Sequence, residues 1–566
     1  MPQDAYTLRY LCEELNSIFS GGKINRITQP SFDELVLTVY TGKGTEKLLL
    51  NVNPSSPRIG IISREKDSPL TAPNFCMLMR KHLLSATILS MELVGFDRII
   101  KIDLMASGEF FDAVKKTVYI ELMGRYSNII LTENGKVLGG NRGINMFDDG
   151  VRPLIVGKDY VFPPVGQKRL PQDTNLIEIF NGCTNEQLSQ TIVQNVQGIA
   201  QSTATEIASK YFAKSGEGES DGKAFFQYLN EYLYSKQYSP CVISENGQIK
   251  DVCVYPYECV SGQVLPFDKL YKAEEYYFEN KEKYKNYVNK KERLNSIVNT
   301  LLKKVKKKLT AIKAKEKDAD SCEENRIKGE LILSNIYKIK QGDKECVVDN
   351  YYDGGQMKIT LNEYLSPSKN AENYYKKYNK QKRTLVALKP QREQAESEQN
   401  YLLSVLDEIS LSEDIKELQF IEKDLINAGV IAENKKVNPK KEQESLYRNY
   451  KFENFVVRVG RNNIENDKLT FTAKPNDIWL HAKEYHSSHA IIQTNGQKVP
   501  ESVIVFGAEI CAYYSKGRDG GKTEIVYTEK KNVKKPSKAK AGFVIYENFK
   551  SIMVKPNKHQ QELIEK

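Results

Sequence analysis

Two long, lysine-rich helical segments separated by a short module constrain the fold of this 566-residue chain more than any other feature. From about Tyr271 the composition shifts to Lys, Glu, Asn and Tyr, and a second such segment runs from about Asn373 to Ala428. Two segments of this kind can pair as an antiparallel hairpin, with each arm about 65–70 Å long at a rise of 1.5 Å per residue. Apolar residues follow heptad-like seams in both segments: Leu294, Val298, Leu301, Val305 and Ile312 in the first, and Leu402, Val405, Leu406 and Ile409 in the second.

Details within these segments refine the prediction. Lys308 interrupts the first seam, and Pro390 predicts a kink or a split in the second helix. The intervening module predicts two short strands, Cys346–Val348 and Met357–Leu361, joined by a turn at Asp353-Gly354-Gly355.

The flanking regions mix helix and strand patterns. Residues 1–160 predict an α+β domain, and residues 175–235 predict helices. The turn at Val193–Thr203 resembles that of a helix-hairpin-helix, but Ala200 stands where a second Gly is usual, so an ordinary helical turn is the alternative. Residues 447–566 predict a compact α/β domain whose helix Ser502–Ser515 has Ser502 as its N-cap. The other predicted helices are Leu8–Phe19, ended by Gly21-Gly22, and Phe75–Leu84; the predicted strands are Glu34–Tyr40, Lys47–Val52, Ile99–Leu104, Thr117–Glu121, Ser127–Leu131, Phe455–Val459, Ala490–Thr494, Glu524–Thr528, Gly542–Tyr546 and Ser551–Val554.

The distribution of charge matters more than its sum of +10. Residues 447–566 carry a net charge of +8, residues 271–325 carry +5, and the remainder carries -3. Two separated basic regions indicate a polyanionic partner that is contacted at more than one place. No apolar run approaches the ~20 residues that span a bilayer, and no signal peptide precedes the first helix. Nine scattered Cys without a C-x-x-C pattern favour a reduced, cytoplasmic and metal-free protein.

Three clusters could carry chemistry. The segment DIWLHAKEYHSSH (477–489) contains the only Trp and three of the five His, and it has three readings: a metal site, an RNA contact in which rings stack on bases, or a packed strand and turn with Trp479 in the core. The segment Lys530–Lys540 has six Lys and no acidic residue, which suits either a phosphate-tracking arm or a solvated loop.

Asp97-Arg98 can be a self-paired structural couple or a pair that presents donors and acceptors to RNA. Arg125 follows a turn glycine, where it can bind phosphate. No nucleotide-triphosphate loop and no G-x-S-x-G occurs, so a catalytic centre is not visible.

Many ordered segments resemble the NFACT family, whose bacterial members are the RqcH proteins, long labelled fibronectin-binding protein A-like. The segments run through nearly the whole chain: GGKINRITQP (21–30), LLLNVNPSSPRI (48–59), FCMLMRKHL (75–83), GFDRII (95–100), ELMGRYSNIIL (121–131), KGELILSNIYKI (328–339), LSP (365–367) with NAENYYKKYNK (370–380), VGRNNIENDKLTF (459–471), DIWLHAKEYHSSHAII (477–492) and KNVKKPSKAKAGFVIY (531–546).

The resemblance implies an α+β multidomain fold. It comprises a glycosylase-like N-terminal domain (1–170) with a helix-hairpin-helix insert (171–235) and a return segment (236–270), and a coiled-coil arm (271–327). A middle module at the tip (328–372), the second arm (373–432), a linker (433–446) and the RNA-associated domain (447–566) follow.

The resemblance also implies a function. Family members bind the large ribosomal subunit when it is obstructed by peptidyl-tRNA, and bacterial members recruit alanyl-tRNA and extend the stalled chain with an alanine tail. Ribosomal RNA then makes the peptide bonds, so neither a catalytic residue nor a cofactor is expected, and a small RNA-binding helper protein is a further candidate partner. The implied tRNA-binding residues are Asp4, Asp97 and Arg98, to which the turn adds Arg125; the C-terminal RNA-binding candidates are Asp477, Trp479, His481, His489, Lys530, Lys531, Lys534 and Lys535; the basic arm that would contact the ribosome comprises Lys303, Lys304, Lys306, Lys307 and Lys308.

Two other functions have some support in the sequence. A DNA glycosylase and lyase is suggested by the fold relationship and by Pro2, whose amine could form a Schiff base, but Gln3 stands where a carboxylate is needed and no four-Cys zinc finger is present. A fibronectin-binding surface adhesin is suggested by the older family label, although the sequence has no export signal or anchor.

Overall fold

The computed structural model describes residues 3–107, 113–142, 152, 154–164, 166–216, 218–235, 237–245, 248–432, 447–537 and 539–564. The chain divides into two units, residues 1–283 and 284–566. Pro2, Lys538 and the predicted linker 433–446 lie outside the described residues.

A nine-stranded antiparallel sheet forms the centre of the first unit, in the order β4-β3-β2-β1-β5-β6-β7-β8-β9. The strands are β1 Lys23–Ser31, β2 Glu34–Tyr40, β3 Thr45–Asn51, β4 Arg58–Ile61, β5 Thr87–Leu93, β6 Ile99–Ser107, β7 Ala113–Glu121, β8 Asn128–Glu133 and β9 Lys136–Gly140. The five strands predicted here are confirmed, with ends that shift by up to four residues. The sequence patterns missed β1, β4, β5 and β9.

Two helices cover this sheet. Helix α1 (Ala5–Phe19) begins at the cap residue Asp4 and ends where Gly21 adopts a φ of +79°, a conformation that suits glycine. Helix α2 (Asn74–Leu83) buries Phe75, Cys76, Met79 and Leu83. The spacing of these apolar residues confirms the prediction of both helices, because each presents one apolar stripe to the sheet.

A helical segment and a small sheet complete the first unit. The helices are α3 Leu176–Phe180, α4 Asn185–Asn195, α5 Gln201–Ser215 and α6 Gly222–Leu233. The sheet has the order β11-β10-β12, with β10 Cys241–Glu245, β11 Gln248–Cys253 and β12 Gln263–Pro266.

Two long helices of the second unit pair antiparallel. Helix α7 (Leu270–Ala319) starts in the first unit, and α9 (Pro367–Leu411) is followed by α10 (Ile415–Asn427). Tyr287 Oη donates to the carbonyl of Ser412, whereas Glu316 meets Arg392 at 3.4 Å, so positions that rise along α7 meet positions that fall along α9.

Two predictions about these helices are wrong in detail. Leu302 and Leu309, rather than Leu301 and Lys308, occupy the buried seam of α7, so the seam is not interrupted. Helix α9 continues through Pro390, so the predicted split does not occur there, and the predicted kink stays a prediction. The helix ends at Leu411, and the N–H of Ser412 still bonds to the carbonyl of Glu408. The missing N–H of proline costs one bond within α9, and the seam residues on both sides are packed against α7 and α10.

The module between these helices contains α8 (Cys322–Ser334) and the hairpin β13 (Glu345–Asn350) and β14 (Gly355–Thr360). Register Cys346↔Ile359 confirms the predicted strand pair. Leu331, Ile332, Val348 and Ile359 form its own small core.

A six-stranded antiparallel sheet, in the order β15-β16-β18-β17-β19-β22, builds the C-terminal domain. Its strands are β15 Arg448–Phe452, β16 Phe455–Val459, β17 Ile478–Ala482, β18 Ala490–Gln493, β19 Thr523–Glu529 and β22 Lys550–Val554; its helices are α11 Asn463–Thr472 and α12 Glu501–Tyr513. A separate ribbon consists of β20 Val533–Lys534 and β21 Ile545–Tyr546. The prediction of Ser502 as an N-cap is wrong: Pro500 holds that position, and Ser502 Oγ donates to Glu453 Oε1 at 3.2 Å.

Candidate nucleic-acid interface

Asp97 and Arg98 lie in a tight turn before β6. Gly95, at the start of this turn, has a φ of +60°. Asp97 Oδ1 accepts from the N–H of Arg98 at 2.7 Å, and Oδ2 accepts from Gln197 Nε2 at 2.8 Å. The carboxylate therefore links this turn to the turn between α4 and α5. Both side chains are half-buried, so the pair is partly structural and partly accessible.

Asp4 is buried, with 2% of its surface exposed; it caps α1 and also bonds to the start of α5. Oδ1 accepts from the N–H of Thr7 in α1 at 2.9 Å, and Oδ2 accepts from the N–H of Ala200 and from Thr203 Oγ1 at 3.0 and 2.7 Å. Asp4 is buried and its oxygens face the start of α5, and its role in tRNA binding stays a prediction. The same carboxylate occupies the N–H of Ala200, in the turn that precedes α5.

The α4–α5 turn also packs closely against α1. Gly198 has a φ of +77°, and a Cβ there would lie 2.5 Å from the Cβ of Ala5 and from the carbonyl oxygen of Phe96. A larger residue would push apart the segments that carry Asp4 and Asp97. The fold thus brings Asp4, Asp97 and this turn together from three distant parts of the sequence.

A basic groove that the sequence patterns did not indicate lies beside this cluster. It has a volume of about 900 Å³ and is lined by Lys168, Arg169, Asp173, Gln194, Asn195 and Gln197, among other residues. Asp173 pairs with Arg169 at 3.1 Å, so Lys168 supplies the positive excess of the groove. Burial, and then the positive charge of Arg98, hold the pKa of Lys168 below its usual range. A lysine whose ammonium is disfavoured by a neighbouring cation gains more from an anionic ligand. The adjacent pair Lys168-Arg169 was the feature of the sequence from which this groove could have been predicted.

Arg125 lies in the turn after β7 and is exposed. Its guanidinium stacks on Tyr126 at 4.6 Å and donates to the Tyr126 hydroxyl at 2.6 Å. Arg142 Nη1 holds the carbonyl of Arg125 at 2.9 Å. The side chain is therefore accessible on a supported turn.

The DIWLH segment forms the core of the C-terminal domain. Trp479 is fully buried, and its ring lies parallel to His481 at 5.6 Å and edge-on to His489 at 5.3 Å. Asp477 accepts from the N–H groups of Thr494 and Lys474 at 2.9 Å each, which fixes two loops. Neighbouring segments cover Asp477, Trp479 and His489, which confirms the interpretation of Trp479 as a core residue. RNA binding by these residues stays a prediction.

Both core histidines are held neutral by burial. Burial lowers the pKa of His481 to about 4, and burial together with the charge of His481 holds the pKa of His489 well below its usual range. His489 Nδ1 lies 2.7 Å from Thr470 Oγ1. His481 is less enclosed and lines a polar cavity of about 50 Å³.

The lysines that follow β19 are on the surface but have acidic neighbours. Lys531 pairs with Glu529, Lys535 pairs with Asp467, and Lys534 lies 4.0 Å from Glu547. Lys530 lies 5.6 Å above the ring of Phe471. The segment begins with a 3₁₀ turn, Lys530–Asn532, and the short strand Val533–Lys534, and its remaining described residues, 535–537 and 539–540, belong to no helix or strand.

The basic arm has fewer acidic neighbours. Lys303, Lys304, Lys306, Lys307 and Lys308 are all exposed on α7, and none of them forms an ion pair with a residue in the described ranges. Their charges are therefore available to an external anion.

Other chemistries find little support in the described part of the chain. No group of three or more His, Cys, Asp or Glu side chains there could hold a metal ion. No described helix combines the length and apolar character that crossing a bilayer requires. Gln3 is buried, its amide bonds to both backbone groups of Ile59, and its Nε2 donates to Glu274.

Comparison with known proteins assigns these parts. The family model for the NFACT N-terminal and middle domains matches residues 4–444, and the model for the NFACT protein RNA binding domain matches residues 446–548. The chain is 29% identical to the Rqc2 homolog RqcH of Bacillus subtilis over 561 residues, which are 97% of this chain and 96% of that protein. It is 28% identical to the Rqc2 homolog RqcH of Streptococcus pneumoniae over 577 residues, with 98% of each chain covered.

A solved structure is similar in one half. The C-terminal part of the fibronectin/fibrinogen-binding protein from Streptococcus suis is 28% identical, with a TM-score of 0.40, and the match covers 49% of this chain and 99% of that one. The two family models together span most of the sequence, including the turn with Asp97-Arg98, the paired helices and the sheet around Trp479. The chain belongs to the NFACT family.

Proposed function

We propose that this protein is a ribosome-associated quality control factor. It binds large ribosomal subunits obstructed by peptidyl-tRNA and recruits alanyl-tRNA, so that the ribosome adds a C-terminal alanine tail to the stalled chain. The nearly full-length match to proteins named Rqc2 homolog RqcH carries this proposal. In it the factor is a cytoplasmic tRNA-recruiting protein, and ribosomal RNA forms the peptide bonds.

The geometry fits two kinds of RNA contact, one selective and one less selective. The half-buried Asp97-Arg98 turn and the adjacent Lys168 groove suit selective contact with tRNA, because their charges are held in fixed positions. The five exposed lysines of α7 suit less selective contact with ribosomal RNA phosphates. As part of this proposal, α7 and α9 act as a coiled-coil arm that carries the middle module, and the first unit is a glycosylase-like domain with a helix-hairpin-helix insert.

The double variant Asp97→Ala with Arg98→Ala tests the tRNA site. We expect alanine tailing of a stalled reporter to fall at least tenfold, while co-sedimentation with large subunits stays within twofold of the parent. Gln197→Ala is the matched control, because it removes the 2.8 Å bond to Asp97 but keeps both charges. Normal tails from the double variant would contradict the site; equal loss in Gln197→Ala would reassign Asp97 to positioning the turn.

RNA that co-purifies with the protein tests the functional class. We expect enrichment of alanine tRNA together with large-subunit RNA. Large-subunit RNA without any tRNA would contradict the recruiting role, and the absence of both would contradict the whole proposal.

A further inference from the structure

The ribbon of β20 and β21 has an unusual outer face. Val533 faces inward and is buried, and Val544 and Tyr546 pack with it against the Trp479 cluster. Because side chains alternate along an extended segment, Phe543 and Ile545 point the other way, and they are 57% and 52% exposed. Lys534 lies directly opposite Ile545 in the register of the ribbon. The outer face therefore combines an aromatic ring, an aliphatic side chain and a cation.

The segment that carries Phe543 is held in a defined position. Asp467 accepts from the N–H of Gly542 at 2.9 Å and also pairs with Lys535. Gly542 has a φ of +81°, and a Cβ there would lie 2.0 Å from Asn463 Oδ1. Below the ribbon, the ring of Tyr546 contacts Trp479 at 5.2 Å and Phe549 at 5.3 Å. The exposed ring is thus presented on a supported backbone rather than at the tip of a loose loop.

The charges around this face suit an anionic partner. Lys530, Lys531 and Lys534 lie on or next to the ribbon, in a domain with a net charge of +8. Glu529 and Glu547 pair with two of them, but ion pairs between exposed side chains contribute only about 0–1 kcal/mol. A phosphate can therefore replace Glu547 beside Lys534, where the separation is already 4.0 Å.

The combination of an exposed aromatic ring with lysines on this face favours single-stranded RNA as the ligand. Aromatic side chains interleaved with lysines bind unpaired nucleotides, because each base presents a face to stack and each phosphate a charge to pair. Duplex RNA hides its base faces, and an acidic peptide offers nothing that requires the flat ring. The match of residues 446–548 to an RNA-binding family model agrees with this choice.

We propose that the outer face of the β20–β21 ribbon holds a single-stranded RNA segment, with Phe543 stacked on a base and Lys534 paired to a phosphate. This inference rests on the RNA-binding part of the proposed function and adds the residues that make the contact. It also assigns Trp479, His481 and His489 as the support beneath the contact surface.

Fluorescence anisotropy with the full chain tests the proposal. The probe is a labelled single-stranded 12-mer RNA, measured in a KCl series beside an RNA duplex and with polyglutamate as a competitor. We expect Phe543→Ala to weaken single-strand binding five- to tenfold with little effect on the duplex, because a stacking contact is lost. Phe543→Trp should retain binding, whereas Phe543→Leu, which keeps the apolar bulk, should not.

Charge variants give a second, independent arm. Lys534→Ala should weaken binding and reduce the slope of log affinity against log salt by about 0.7, the value for one phosphate on a single strand. Glu547→Gln should strengthen binding two- to threefold by removing the competing carboxylate. Lys498→Ala, at an exposed lysine elsewhere in the domain, is the matched control and should have a smaller effect than Lys534→Ala.

Folding of each variant except Phe543→Trp is checked by the emission of Trp479, the only tryptophan of the parent chain, which lies under the ribbon. Phe543→Trp adds a second tryptophan, so its folding is checked by circular dichroism. Equal single-strand binding by the parent, Phe543→Ala and Phe543→Leu, with unchanged Trp479 emission, would overturn the proposal. If polyglutamate displaces the RNA completely and Phe543→Ala binds the single strand as tightly as the parent does, the face is a site for acidic protein. This result would also overturn the proposal. If the parent co-purifies with large-subunit RNA while Phe543 has no effect, the inference fails and the proposed function stands.

Discussion

At the residue scale, side chains that a sequence pattern offers to RNA can serve the fold instead. Asp4 accepts three hydrogen bonds within the first unit, and Asp477 joins two loops of the C-terminal domain. A buried carboxylate with several donors gains more from these bonds than from an exposed ligand. Their effect on function is therefore expected to act through the neighbouring backbone.

Asp4→Ala tests the contacts of this carboxylate with the first turn of α1 and with the start of α5. The change removes the acceptor of the N–H of Ala200, so we expect a loss of about 2–3 kcal/mol, more than the ~1 kcal/mol typical of one helix cap. Hydrogen–deuterium exchange should accelerate in the first turns of both α1 and α5. Asp221→Ala, which removes the cap of α6 alone, is the control. Unchanged exchange at the start of α5 would contradict the role of Asp4.

His481 gives a pH dependence with a defined sign. Its pKa is about 4 in the folded chain, against 6.5 for an unperturbed histidine, so the folded state binds the proton less readily than the unfolded state. The stability linked to this group is fully present above pH 6.5 and is lost as the pH falls from 6.5 to 4. At about 1.4 kcal/mol per pKa unit, the loss is about 2–3 kcal/mol.

His481→Gln should remove this contribution. Urea unfolding followed by Trp479 emission is expected to show a smaller fall in stability between pH 6.5 and 4 for the variant than for the parent. Carboxyl groups such as Glu465, whose pKa burial raises to about 7, titrate with the opposite sign in both proteins. The comparison therefore isolates the histidine, and parallel pH profiles would refute the assignment.

At the element scale, the paired helices divide stability from binding. Leu294, Val298, Leu402, Val405 and Ile409 are buried in the seam, whereas the five arm lysines are exposed on α7. Substitution of exposed helix residues by good helix formers costs little stability. The two properties can therefore be changed separately.

Replacing all five arm lysines by Gln should weaken the binding of large subunits and leave unfolding unchanged. Each lost phosphate contact should reduce the slope of log affinity against log salt by about 0.7–0.9. Co-sedimentation over a KCl series measures this slope. The five Lys→Arg changes keep the charge and should bind as the parent does. An unchanged slope in the Gln variant would show that the arm does not contact RNA.

At the scale of the whole molecule, charge is divided between regions with different tasks. The C-terminal domain and the start of the helical pair carry the positive excess, and the remainder is net acidic. The Asp97-Arg98 turn lies in this remainder, where fixed hydrogen bonds rather than bulk charge set the geometry. We therefore expect salt to weaken subunit binding more than tRNA selection.

The sequence by itself determined the helices and strands whose periodicity is strong, and their order along the chain. The apolar periodicity of α1 and α7, the turn at Gly354-Gly355 and the strand alternation of β2 and β16 are local properties, so they can be read without knowing the fold. The lysine content of α7 also predicted its exposure, because a run of charged side chains cannot be buried. The strands β1 and β5 escaped detection because their faces are only partly buried and their patterns are mixed.

Only the tertiary structure decided which polar residues face solvent. Asp4 meets Ala200 across 196 positions and Asp97 meets Gln197 across 100, and no local pattern contains such a pairing. Trp479 and Phe543 are both aromatic residues in basic surroundings, yet the ribbon covers the first and presents the second. Burial depends on what the chain places over a side chain, which is a property of the packed fold rather than of the segment that carries it.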